Sequence, residues 1–189
     1  MFSFYKPLLD TVKLNGVEHK VNMSVGNIYK ILQMLEDERL KDAHKVMLGV
    51  KMLFEKPPAG NIEELAIIWE KTFKSLIVRE EQFYEYDIKG NKMPKRSKDG
   101  QEQKSFDLFE DIEYIYASFL QDYNIDLHQV KDTLHWYQFN ALLNGLSETT
   151  KLKKVIEIRN MPLPTGKGTG KQREDIQKLK SHYKLKGRG

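Results

Sequence analysis

The stretch from residue 126 to residue 146 limits the fold most, because it places large apolar side chains at helical spacing. It reads DLHQVKDTLHWYQFNALLNGL. Asp126 and Gln129 match a capping box, in which side chains satisfy free N–H groups at a helix start. The apolar stripe, spaced by three, four and three residues, consists of Trp136, Phe139, Leu143 and Leu146. We therefore expect one long helix, ending near Gly145, whose aromatic face other helices must cover.

The composition predicts a single globular domain, or one domain with a tail. The chain has 189 residues, of which 40% are hydrophobic, and it contains no cysteine. Disulfides and thiolate metal sites are therefore excluded. The N-terminal residues lack the apolar run of a signal peptide, and no apolar run is long enough to span a bilayer. We expect a soluble intracellular protein that binds no cofactor and no metal.

The positive charge is concentrated at the C-terminal end. The formal net charge is +4, yet eight of the 31 Lys and Arg residues lie from Met161 onward, with only two of the 27 Asp and Glu residues. The first 160 residues are therefore slightly acidic. A basic body of the kind that binds nucleic acid is not indicated. For the basic tail, a solvated end is the default interpretation, and contact with a nucleic acid or an acidic protein is the alternative.

Residues 11–23 predict a β-hairpin. Asn15-Gly16 is a strong two-residue turn signal, because both residues tolerate positive φ. This turn places Leu14 opposite Val17 and Lys13 opposite Glu18. The apolar face is expected to consist of Val12, Leu14, Val17, Val21 and Met23. An isolated hairpin is marginally stable, so it must pack on helices or pair with another strand, including one from a second subunit.

The remaining periodicity predicts a mainly α protein, a helical domain of about six helices beside this small N-terminal hairpin. Helix starts are expected at Ser24, at the capping pair Asn61 and Glu64, at Ser105, and at Thr149 or Thr150. The second helix should point Ala43, Val46, Met47, Val50 and Phe54 inward, and the helix after Ser105 should point Phe109, Ile112, Tyr116, Phe119, Leu120 and Tyr123 inward. Asn124 is expected to end that helix in the left-handed region.

Two segments lack a core pattern. Residues 87–104 are polar and contain glycine and proline, so we expect a mobile loop there. The chain should thus comprise a compact domain, residues 1–160, and a flexible basic tail, residues 161–189, with a short helix over 173–183. Four aromatic residues fall outside or at the edge of the core stripes, and we interpret them as partner-binding candidates: Phe83, Tyr84, Tyr86 and Tyr137.

No motif in the sequence predicts catalysis or metal binding. The glycines of residues 166–171 lack the spacing of a phosphate-binding loop. His128 and His135 lie about 10 Å apart along a helix, too far to share one ion. The carboxylates of residues 107–113 are explained by a helix start, where negative charge is favourable. We therefore expect a protein that is not an enzyme.

Parts of the chain between Phe106 and Arg159 resemble a family of small phage proteins. The resemblance rests on Phe106-Asp107, Tyr116-Ala117-Ser118-Phe119, Tyr123, Ile125-Asp126-Leu127, Leu134-His135-Trp136, Phe139, Leu142-Leu143-Asn144-Gly145-Leu146 and Ile158-Arg159. The family belongs to the tail modules of long-tailed, non-contractile phages and prophages of Gram-positive bacteria, and is named after open reading frame fifteen. Its gene typically lies between those of the major tail protein and the tape-measure protein.

The resemblance implies a tail assembly chaperone. Such a protein binds the tape-measure protein and the major tail protein in the host bacterial cytoplasm and is absent from the mature virion. Self-association is expected, because coating a long tape measure requires many copies. The alternative hypothesis is a nucleic-acid-associated phage protein that acts through residues 161–189.

Overall fold

The computed structural model of the protein describes residues 5, 8, 10–78, 85–86, 92–93, 105–166 and 168–187. This part of the chain is mainly helical with a small N-terminal hairpin, as the sequence predicts. The elements in chain order are β1 (Thr11–Leu14), β2 (Val17–Lys20), α1 (Val25–Glu36), α2 (Asp42–Leu53), α3 (Ile62–Phe73), a π-helical turn (Lys74–Val78), β3 (Glu85–Tyr86), β4 (Lys92–Met93), α4 (Ile112–Tyr123), α5 (Leu127–Val130), α6 (Trp136–Asn144), α7 (Lys151–Asn160) and α8 (Gly170–Tyr183).

The chain divides into two compact units. The first comprises Met1–Lys95 and His128–Ala141, and the second comprises Arg96–Leu127 and Leu142–Gly189. Helix α6 begins in the first unit and ends in the second. The division predicted from the sequence, residues 1–160 and residues 161–189, stays a prediction.

The hairpin in the first unit has the predicted register. Leu14 pairs with Val17 and Lys13 pairs with Glu18. Asn15 and Gly16 adopt φ angles of 47° and 86°, which the two-residue turn requires. Leu14 is buried, but Val17 is 59% exposed, so its predicted place on the buried face is wrong. As a turn-flanking residue it lies where no other described element covers it.

Helices α1, α2 and α3 also belong to the first unit, and α2 packs against both neighbours. The capping pair predicted for α3 is confirmed: Glu64 N–H donates to Asn61 Oδ1 at 3.0 Å, and Asn61 N–H donates to Glu64 Oε2 at 2.9 Å. The inward face of α2 agrees only in part with the predicted one, since Val50 and Phe54 are buried as predicted. Gly49 and Leu53 are buried, whereas Met47 is 53% exposed. Gly49 has no side chain, so the sequence pattern gave it no weight as an inward residue.

The predicted long helix over residues 126–146 is broken. Turns and an isolated bridge over residues 131–135 separate α5 from α6. The N–H groups of Val25 and Gly26 donate to the carbonyls of Leu134 and Lys131, at 2.9 and 2.8 Å. These are free N–H groups at the start of α1, which a helix cannot satisfy internally. The carbonyls of the break thus replace a side-chain cap, and the predicted cap by Ser24 is absent.

Helices α4, α7 and α8 belong to the second unit, where α7 packs against both others. The helix start predicted at Ser105 is wrong, because α4 begins at Ile112 with Asp111 as its N-cap residue. In the turn before it, Asp107 Oδ1 accepts from the N–H groups of Phe109 and Glu110. Asn124 ends α4 with a φ of 53°, as predicted. Ser118 Oγ accepts from Leu152 N–H at 3.0 Å and so caps α7 from the neighbouring helix.

The face of α4 also differs from the predicted stripe. Ile115, Ser118 and Phe119 are buried, whereas Leu120 is 44% exposed. Ser118 lies on the inward side because its hydroxyl also donates to the carbonyl of Tyr114, at 2.6 Å, which satisfies the buried polar group.

Several predictions fall on residues outside the described part of the chain. The mobile loop over residues 87–104 lies there, apart from β4, which pairs antiparallel with β3. Phe83 and Tyr84 lie there as well.

Residues 170–183, within the predicted tail, form helix α8. None of the described helices has the length and apolar character needed to cross a membrane.

Candidate protein-binding surface

Of the four predicted contact aromatics, Tyr137 alone has a described side chain. It is half-buried near the start of α6, with its ring centroid 4.9 Å from that of His135. Its N–H donates to His135 Nδ1 at 3.1 Å. For Tyr86 the backbone lies in β3. The assignment of these four residues to a partner surface therefore stays a prediction.

A groove of about 440 Å³ lies in the second unit, and no sequence motif indicates it. Its apolar lining comes from segments distant in sequence. Leu143 stands at the end of α6, Leu152 and Ile156 stand one turn apart on α7, and Phe106 precedes α4. Leu143 and Leu152 are buried, whereas Phe106 and Ile156 are half-buried and present apolar atoms to the groove.

The rim of this groove is polar and charged. Ser105, Asn144, Glu148, Lys153 and Glu157 complete the lining. Lys153 Nζ lies 3.5 Å from Glu148 Oε1. An apolar floor with charged edges is the arrangement that binds the apolar face of an amphipathic helix.

Hydrogen bonds hold the backbone beside the groove. Asp122 of α4 accepts from the N–H and the hydroxyl of Ser147, at 2.7 and 3.0 Å. Tyr123 donates its hydroxyl to the carbonyl of Leu142 at 2.9 Å. Burial, and then the charge of Asp122, raise the pKa of Tyr123 above its usual value. The phenol therefore stays neutral and remains a donor at physiological pH.

A buried ion pair joins the residue before α4 to the end of α7. Arg159 donates from Nη1 and Nη2 to the two carboxylate oxygens of Asp111, at 2.6 and 2.7 Å. The Asp111 side chain is 1% exposed and the Arg159 side chain 11%. The sequence did signal this pair in part, because Arg159 continues the inward stripe of Leu152 and Val155. A cation on an inward face requires a buried counter-charge.

Polar contacts attach the end of α8 to this ion pair and its neighbours. Arg159 Nε donates to the carbonyl of Tyr183 at 2.6 Å. Glu110 accepts from the N–H groups of Lys186 and Gly187, at 2.7 and 3.1 Å. Lys151 Nζ donates to the hydroxyl of Tyr183 at 3.0 Å. The helix in the basic tail thus contacts the second unit through specific side chains.

Within the described ranges, no group of three or more His, Cys, Asp or Glu residues is placed to hold a metal ion. The carboxylates that the sequence places at a helix start have individual roles instead. Asp107 caps, Glu110 accepts from the C-terminal backbone, and Asp111 pairs with Arg159. The expectation that the chain is not an enzyme stays a prediction.

Comparison with known proteins gives one match. The model of a family described as bacteriophage Gp15 protein matches residues 4–185. No curated protein and no solved structure matches the chain. The family match extends over both compact units and over the groove, the ion pair and most of the C-terminal segment. Because it covers nearly the whole sequence, the chain belongs to the bacteriophage Gp15 protein family.

Proposed function

We propose that this phage protein is a tail assembly chaperone that acts without catalysis. It binds the tape-measure protein and the major tail protein in the host cytoplasm and leaves before the virion is complete. The observation that carries the proposal is the family match over residues 4–185. The link from family to tail assembly rests on the gene position that is typical of the family.

The groove in the second unit supports a mode of binding. A tape-measure chaperone must cover apolar helical surface on its client until tube subunits replace it. Leu143, Leu152 and Ile156 offer an apolar floor, and Glu148 and Lys153 offer charges of both signs at its edge. A client helix would place its apolar stripe on the floor and its polar flanks at the rim.

Co-expression with the cognate tape-measure protein tests the binding. We expect the client to become more soluble and to co-purify with this protein. Ile156→Glu places a carboxylate on the apolar floor and should abolish co-purification, since a buried unpaired charge is strongly unfavourable. Ile67→Glu is the matched control, because Ile67 is 68% exposed on α3, outside the groove. Circular dichroism must show that both variants are folded.

Deletion of the gene from its phage tests the function. We expect filled capsids without tails, and mass spectrometry of wild-type virions should not detect the protein. Tails of normal length in the deletion strain would exclude the chaperone function, whatever the co-purification shows.

The alternative function, nucleic-acid association through residues 161–189, has a distinct outcome. It predicts DNA binding that weakens steeply with salt and disappears when those residues are removed. On α8 the acidic residues Glu174 and Asp175 reduce the positive charge, and Glu174 pairs with Lys178 on the exposed surface.

A further inference from the structure

We propose that the second unit carries a receptor for the C-terminal end of a helix, and that helix α8 occupies it as a displaceable ligand of the same chain. The receptor consists of Glu110, Tyr114, Lys151 and Arg159. The partner that fits it is a protein helix whose last residue is aromatic and whose chain continues beyond the helix in extended form. This inference does not depend on the proposed role in tail assembly.

Arg159 recognises the helix end itself. The last four carbonyls of an α-helix have no partner within the helix, and positive charge there is favourable. Tyr183 is the last residue of α8, and its carbonyl accepts from Arg159 Nε at 2.6 Å. Asp111 holds the other end of the guanidinium through two hydrogen bonds. The donor is therefore fixed in direction before any helix arrives.

Glu110 recognises the chain beyond the helix. Its two carboxylate oxygens accept from the N–H groups of Lys186 and Gly187, at 2.7 and 3.1 Å. Both donors are backbone atoms, so this contact depends on the path of the chain and not on its side chains.

Tyr114 and Lys151 select an aromatic last residue. The Tyr183 ring meets the Tyr114 ring edge-on, with centroids 6.1 Å apart and an interplanar angle of 70°. Lys151 Nζ lies 4.9 Å from the Tyr183 ring centroid and donates to its hydroxyl. An ammonium near an aromatic face and an edge-to-face ring pair are both stabilising. Tyr183 is thus the anchor residue of the ligand.

The attachment of α8 is weak enough for exchange. None of the residues of α8 is buried, and Ile176, Lys180 and Tyr183 are only half-buried. The end of the helix is held by hydrogen bonds and by the ring contact of Tyr183 with Tyr114. Gly166 and Gly168 precede it with φ angles of 134° and 85°, conformations that permit a change in chain direction. Such elements lie at the low end of local stability.

A peptide of residues 169–187, labelled with a fluorophore, tests the receptor on the full chain. In the wild-type chain α8 competes with the peptide for the receptor. The apparent affinity for the peptide is therefore reduced in proportion to the fraction of molecules whose receptor is unoccupied. The variant Tyr183→Ala removes the anchor of the internal ligand and leaves the receptor intact. We expect the peptide to bind this variant about tenfold more tightly than the wild-type chain. A peptide carrying Tyr183→Ala should bind neither the wild-type chain nor the Tyr183→Ala chain.

The second measurement identifies the receptor residue. Glu110→Gln, introduced into the Tyr183→Ala chain, should weaken peptide binding. Glu113→Gln is the control and should not weaken it, because Glu113 is exposed on α4 and is not one of the four receptor residues. Circular dichroism must match for all chains. Absence of peptide binding to the Tyr183→Ala chain, equal binding to both chains, or equal loss in the two glutamine variants would each overturn the proposal.

Discussion

The ion pair between Asp111 and Arg159 is expected to contribute strongly to the stability of the fold. Both side chains are buried, and Arg159 uses three nitrogens in four hydrogen bonds. Removing one partner leaves a buried charge without compensation, which costs about 3–5 kcal/mol. Asp111→Ala should lower the free energy of unfolding by that amount in urea denaturation at neutral pH.

The control for this prediction is an exposed ion pair. Glu174 and Lys178 lie one turn apart on α8, and both side chains are more than half exposed. Exposed pairs contribute about 0–1 kcal/mol, so Glu174→Ala should change stability little. Equal losses of unfolding free energy in Asp111→Ala and Glu174→Ala would show that the buried pair contributes no more than an exposed pair.

For Gly49→Ala, the sign of the change in stability tests the packing of α2 against α3. Alanine normally stabilises a helix relative to glycine, by about 1 kcal/mol. Here an added Cβ would lie 2.6 Å from Cη2 of Trp69, closer than real contacts allow. Gly49→Ala should therefore destabilise the protein by about 1–3 kcal/mol, measured by urea denaturation. A stabilised variant would mean that α2 and α3 are not in this close contact.

At the residue scale the sequence predicts the burial of the aromatic stripe correctly and polar partners poorly. Trp136, Phe139 and Leu146 are buried as their stripe indicates. The partner of Arg159 was not predictable, because Asp111 lies 48 residues away and local sequence carries no information on that pairing. The contact between Gly49 and Trp69 was not predictable for a related reason. Helical periodicity is read from side chains, and this contact depends on the absence of one.

At the element scale, the stacked pair in α6 should carry much of the stability of the first unit. The rings of Trp136 and Phe139 lie 5.5 Å apart at 17°, and the two residues are 7% and 2% exposed. Trp136 Nε1 donates to the carbonyl of Ile77 at 3.4 Å, which satisfies its polar atom. Phe139→Ala should cost about 3–5 kcal/mol in chemical denaturation.

Tyr137→Ala serves as the neighbouring comparison, because Tyr137 is half-buried on the same helix. Its loss should be clearly smaller than that of Phe139→Ala. A loss for Phe139→Ala well below 1 kcal/mol would place that side chain on the surface and make it a candidate partner contact.

Elements specified by local chemistry were predictable, and those specified by distant contacts were not. The Asn15-Gly16 turn and the Asn61–Glu64 capping box depend only on neighbouring residues, and both have the predicted geometry. The break between α5 and α6 depends on the start of α1, more than 100 residues earlier in the chain. Helical spacing continues through the break, so the pattern alone indicated one helix.

At the scale of the whole molecule, the fold class followed from the sequence but the candidate surfaces did not. The groove draws on residues 105–106 and 143–157, and the helix-end receptor draws on α4 and α7. Each segment has an ordinary amphipathic pattern that reveals nothing of its neighbours. The family is apparent from the sequence because the residues that carry the resemblance recur between Phe106 and Arg159.

Self-association through the hairpin is the last prediction, because a coat on a long tape measure needs many copies. In the described residues β1 pairs with β2 alone, while the end of β2 meets the chain after α2 through the bridge between Val21 and Phe54. The outer edge of β1 is therefore the edge expected to accept a strand from a second subunit. Sedimentation at micromolar concentration should show a dimer or a larger species.

A proline substitution tests that edge without breaking the hairpin. The pair that closes the turn, Leu14 and Val17, is hydrogen-bonded in a two-residue hairpin, and ladder bonds alternate. The N–H of Lys13 therefore points away from β2, and Lys13→Pro removes a donor that only a second strand would use. This variant should sediment as a monomer, whereas Glu18→Pro, the same change on the facing strand, should still associate. A wild-type protein that stays monomeric at high concentration would contradict the hairpin as an assembly edge, and association retained in both variants would place the interface elsewhere.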